Sequence, residues 1–76
     1  MMIEFNPHAK KRFKIRGIAE SDVIATLKNP DKLLFDEDTG NFIAVKKVNG
    51  KVLDVAYVII RNVARVVSTF LTSKLD

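Results

Sequence analysis

The apolar residues of this chain change their spacing once, at Asn29-Pro30-Asp31, and that change constrains the fold more than any other feature. Before it, apolar positions recur at intervals of three and four, the repeat of a helix face. After it they alternate, the repeat of a strand. Proline fixes the boundary, because the residue before it avoids the helical region and proline has no N–H to continue a helix. The pattern predicts an α+β chain forming one domain over residues 1–76.

Upstream of the boundary, two helices fit. The first runs over residues 7 to 16. Asn6 suits the N-cap, Pro7 the first turn, and Gly17 the left-handed position just past the end. At about 100° per residue, Ala9 and Phe13 share one face. His8, Arg12 and Arg16 form a second row beside it, with Arg16 nearest the apolar seam; Lys10, Lys11 and Lys14 fall on the far side. The second helix runs over residues 20 to 28. Glu20 and Asp22 suit the positive end of its dipole and Lys28 the negative end, while Val23, Ile24 and Leu27 give a buried stripe. The short connection, with Ile18 tucked beneath, makes the two helices a hairpin.

Residues 2–5 read as a short first strand. Beyond the boundary, residues 32–35, 42–48, 52–60 and 63–71 read as strands and residues 72–76 as a tail. The acidic segment 36–41 reads as a solvated turn, since it lacks the spacing of a calcium loop. Asn49-Gly50 is a two-residue hairpin signal, because that turn needs positive φ at both positions; Arg61-Asn62 is a second turn. Strict alternation places Leu53, Val55, Tyr57 and Ile59 on one face of their strand, and Arg65, Val67, Thr69 and Leu71 on one face of the last. The expected architecture is two N-terminal helices packed on one face of a twisted antiparallel sheet of three to five strands.

Composition narrows the chemistry. There is no cysteine and only one histidine, so neither a disulfide framework nor a structural zinc site is expected, and no metal or cofactor is implied. The start lacks the basic-then-apolar pattern of a signal peptide and no apolar run reaches bilayer length, so a cytoplasmic chain with no membrane role is expected. Seventy-six residues leave a small margin of stability, which points to a homodimer or another stabilising partner. The net charge of +4 suits RNA, DNA or an acidic protein.

Cleaving RNA with its own 2′-hydroxyl needs a base, an acid and cations to hold the charge on the phosphorane. Free histidine changes charge near neutrality, so a residue of the His8 type could be acid or base; its plainer role is a surface or capping group. Arg12 and Arg16 could grip phosphate in two-pronged fashion, or lay their stems over apolar surface and pair with carboxylates. Tyr57 could orient or donate, or be a core tyrosine. Lys10, Lys11, Lys14 and Arg65 are candidate nucleic-acid contacts, Arg65 otherwise being a plain sheet-surface arginine. Nothing resembles a metal cluster, a phosphate-cradling glycine loop or a nucleophilic triad.

The run His8-Ala9, Arg12, Arg16-Gly17-Ile18, then Asp22-Val23 and Asn29-Pro30-Asp31, resembles a family of small bacterial and archaeal proteins of unassigned function. That family is related to the RelE/ParE and BrnT toxins. The resemblance implies a RelE-like fold and, beyond it, the toxin of a toxin–antitoxin pair with a cognate antitoxin as partner. RelE-type members cut mRNA on the ribosome, ParE-type members act on a topoisomerase, and BrnT-type members are ribonucleases. The expectation is a metal-independent endoribonuclease acting on mRNA, with RNA or the ribosome as partner. The matching positions are His8, Arg12, Arg16 and, in the last strand, Thr69. Two positions depart: Leu71 stands where relatives often have an aromatic, and Asp54 where they often have a basic residue. Both departures count against catalysis. The competing expectations are a non-catalytic basic module that binds RNA or protein, and an oligomerising domain joined through a sheet edge.

Overall fold

A computed structural model describes residues 2–72. The chain runs β1 (Met2–Phe5), α1 (Pro7–Ile15), α2 (Glu20–Lys28), β2 (Lys32–Asp36), β3 (Asn41–Val48), β4 (Lys51–Ile60) and β5 (Val63–Thr72). The strands make one five-stranded sheet in the order β1-β5-β4-β3-β2. It is α+β, as the change of spacing predicts. Thr72, expected to open the tail, is instead the last residue of β5, and residues 73–76 lie outside the described residues.

The ends of α1 are set by three local devices. The Asn6 side chain accepts from the backbone N–H of His8 at 2.8 Å, and Pro7 opens the first turn. At the other end Gly17 takes φ +73°, which lets Ile18 N–H reach Phe13 O at 2.9 Å and Gly17 N–H reach Lys14 O at 3.0 Å. These two bonds form a Schellman motif, and its hydrophobic contact is present too, because Phe13 and Ile18 are both buried. A side chain at Gly17 would have open space but a strained backbone.

The sheet is mixed, which corrects the expected antiparallel arrangement. β2, β3, β4 and β5 form an antiparallel meander, while β1 pairs parallel with β5, Ile3 opposite Ala64 and Phe5 opposite Val66. The helices therefore follow a strand of the sheet instead of preceding all of it. A parallel neighbour needs a long crossover, and the two helices and the meander supply one. No local sequence signal marks such a distant pairing.

Both helices lie on one face of the sheet, α1 over β5 and α2 over β4 and β3. The core between them holds Phe13, Val23, Leu27, Leu53, Val55, Tyr57 and Val66, with Phe5 edge-on to Phe13 at 5.5 Å. Thr26 is buried in α2 and returns its hydroxyl to Asp22 O at 2.7 Å. Asn49-Gly50 has φ of +50° and +76°, the hairpin geometry its sequence requires; Arg61-Asn62 repeats it with +52° and +66° and no glycine.

Strict alternation fails in β5. Ser68 pairs with Ala56 but Val66 pairs with Tyr57, so one extra residue is inserted at Val67. This bulge shifts the phase. Ala64, Val66 and Thr69 face the helices and are buried, whereas Arg65, Val67 and Phe70 are exposed. Val67 and Thr69 do not share an environment, and Arg65 and Thr69 do not share a face.

Candidate nucleic-acid interface

The four-residue repeat of His8, Arg12 and Arg16 survives folding as an exposed row on α1, beside the buried Ala9 and Phe13. Its two ends differ. His8 is exposed at the N-terminal turn, where its backbone N–H serves the Asn6 cap. Arg16, at the C-cap, leans onto the sheet: it donates to the backbone carbonyl of Thr69 at 2.5 Å, and its guanidinium carbon stands 5.5 Å from the centre of the Phe70 ring. At about 1.5 Å rise per residue, His8 and Arg16 are separated by about 12 Å along the helix.

Phe70 is half exposed, and directly opposite it on β4 is Asp54. Opposed residues of antiparallel strands bring their side chains to about 5 Å. Asp54 stands among apolar neighbours, with Val45 opposite on the other side. Its Oδ1 is buried and has no hydrogen-bond partner among the described residues. Loss of hydration raises its carboxyl above the ordinary value. Arg16 thus stands beside Phe70 and Phe70 beside Asp54, so that a cation, an aromatic face and a carboxyl of raised proton affinity follow one another from the end of β5 that β1 leaves uncovered onto β4.

The remaining candidates are distributed otherwise. Tyr57 is 5% exposed and faces the helices, stacked on Phe42 at 5.6 Å; burial raises its hydroxyl above the ordinary tyrosine value, so it is a neutral core phenol at neutral pH. The Thr69 side chain is buried, and only its carbonyl meets Arg16. Arg65 gives both Nε and Nη2 to Oε1 of Glu4, at 2.8 and 2.7 Å, across the β1–β5 pair. Lys10 approaches Glu20 at 3.5 Å. Lys11, Arg12 and Lys14 are exposed, with no salt bridge among the described residues. A surface cleft of about 350 Å³ is lined by Glu4, Ile60, Arg61, Val63 and Arg65, none of them in the helix row. Among the described residues no group of His, Cys, Asp and Glu is placed to hold a metal ion, and no helix is long and apolar enough to cross a membrane.

Sequence reasoning missed Phe70 and set Asp54 aside. Phe70 was hidden by the bulge, which sequence alternation cannot reveal. Asp54 did carry a signal, a lone carboxylate within Val-Leu-Asp-Val-Ala, where an apolar setting disfavours its charge.

Fold and site together define a small α+β domain with a basic helix lying along a mixed five-stranded sheet. The chain belongs to the family described as a domain of unknown function, DUF4258, whose model matches residues 5–70. Neither a curated protein nor a solved structure matches it.

Proposed function

We propose that this chain is a RelE/BrnT-like toxin that binds single-stranded RNA along α1 and cleaves it without a metal ion, its activity held in check by a cognate antitoxin. The observation that supports the reading is the convergence of Arg16, Phe70 and Asp54. An exposed ring beside a guanidinium is a stacking platform for an unpaired base. Lys11, Arg12 and Lys14 continue the positive surface along the helix, and with His8 they meet successive phosphates.

In this reading Asp54 takes the proton of the 2′-hydroxyl, for which a carboxyl of raised proton affinity is better suited than an ordinary one. The 2′-oxygen attacks phosphorus, Arg16 offsets the charge of the phosphorane, and the 5′-oxygen leaves with a proton from water. Tyr57 and Thr69 hold the sheet in shape and take no part in proton transfer.

Cleavage of mRNA with and without ribosomes tests the reading, using the native chain, Arg16→Ala and Asp54→Asn. The expected result is cutting by the native chain, loss of turnover in Asp54→Asn with RNA affinity kept, and loss of both in Arg16→Ala. A folded native chain that binds RNA yet cuts it under neither condition would be a binding module instead, the reading that the burial of Tyr57 favours.

A further inference from the structure

β2 is an edge strand whose three central residues, Leu33, Leu34 and Phe35, are 52%, 47% and 56% exposed. Edge strands ordinarily carry a charge or a proline in the middle, because their open N–H and C=O groups invite another strand. Here the charges stand only at the ends, Lys32 and Asp36, of opposite sign. Leu33 and Phe35 lie on the helix side, opposite Ala44 and Phe42, and Leu34 lies on the open side, opposite Ile43. Both sides of the edge are therefore apolar, and α2, which packs over β3 and β4, leaves Leu33 and Phe35 uncovered.

We infer that β2 pairs antiparallel with β2 of a second copy of this chain, about a twofold axis through Leu34. One register pairs all five residues of both strands. It sets Lys32 against Asp36 of the partner subunit, Leu33 against Phe35 of the partner subunit, and Leu34 against its own counterpart. The strand is thus complementary to itself in charge and in shape, which is what a twofold interface requires. Slipping the strands by two residues opposes Lys32 to Leu34 and leaves residues unpaired at the ends. In the aligned register both helix-covered faces lie on the same side of a continuous ten-stranded sheet. The Tyr57-Phe42-Phe35 ladder, with Phe35 and Phe42 5.1 Å apart, runs on to Leu33 of the partner subunit. Asp31 would be next in line, but its carboxylate is turned back to Lys47 N–H at 2.9 Å and toward Lys46, so pairing stops at Lys32. Asp36 Oδ1 accepts from Asp38 N–H at 3.0 Å, which leaves Oδ2 for the facing lysine. A five-residue strand pair is small as interfaces go, so association is expected at micromolar concentration. This dimer is independent of the RNA reading: β2 lies at the end of the sheet opposite β1 and β5.

The chain has no cysteine, so cysteine scanning is clean. Leu34→Cys, Leu33→Cys and Phe35→Cys are each mildly oxidised at a concentration where the native chain sediments as a dimer. Leu34→Cys is expected to form the disulfide-linked dimer in far higher yield than the other two, since only residue 34 faces itself at disulfide distance. Lys32→Asp alone is expected to weaken association about tenfold, because two symmetry-related pairs are lost at once, and Lys32→Asp with Asp36→Lys to restore it. Circular dichroism establishes that each variant is folded. A monomeric mass from low to high micromolar concentration, equal cross-linking at the three positions, or a charge swap that fails to restore association would each overturn the inference.

Discussion

The guanidinium of Arg16 donates to the backbone carbonyl of Thr69, 53 residues further along the chain. β1 covers the edge of β5 only as far as Val66, so a donor beyond that point must come from elsewhere. Arg16 supplies it from the end of α1, and the same bond fixes the guanidinium beside Phe70. Arg16→Ala is therefore expected to lower stability by about 1–2 kcal/mol in urea unfolding, as loss of a charged hydrogen bond does. Arg16→Lys keeps the charge without the planar fork, and is expected to fall between Arg16→Ala and the native chain in both stability and RNA affinity.

Asp54 makes stability depend on pH in the sense opposite to a salt-bridged carboxylate. Its proton affinity is raised in the folded chain, so the folded state holds the proton over a range where the unfolded state has released it. The stabilising contribution is full below the ordinary aspartate value and is lost as pH rises through the raised one. At neutral pH the buried oxygen without a donor is a liability. Asp54→Asn is expected to stabilise the chain there by up to about 1 kcal/mol, discounted for the water the group still meets, with the gain shrinking toward pH 4. A gain that grew in acid would refute this account.

The turn between β4 and β5 holds two residues without glycine at positive φ, Arg61 and Asn62. Asparagine tolerates that conformation and arginine does so at a cost of about 1 kcal/mol. Replacing Arg61 with asparagine and Asn62 with glycine, as in the Asn49-Gly50 turn, is expected to raise the melting temperature by several degrees. Gly50→Ala is expected to lower it, since φ there is +76°.

Phe13 is fully buried and joins α1 to β1 and β5. Phe13→Ala is expected to cost about 3–5 kcal/mol, much of the whole stability of a domain this size. Phe13→Leu is expected to cost about 1–2 kcal/mol and to leave a cooperative transition in denaturant.

Of the candidate site, the helix row was legible in the sequence. The spacing of His8, Arg12 and Arg16 defined one helix row, and nearness to the apolar seam singled out Arg16. What that row meets depends on contacts across the whole chain. Tyr57 belongs to the core because β4 alternates without interruption and sets it beside Leu53 and Val55, whereas Phe70 belongs to the surface because a single extra residue at Val67 reverses the phase of everything after it in β5.

Local chemistry by itself determined the elements and their limits. Asn6, Pro7 and Gly17 bound α1, Pro30 ended the helical region, and Asn49-Gly50 closed a hairpin, each through backbone preferences acting within a few residues. Tertiary structure alone decided that β1 joins β5 in parallel, that β5 bulges, and that β2 is left as an edge. Those outcomes depend on which distant surfaces bury one another best, and burial is a property of the assembled sheet that no short stretch of sequence contains.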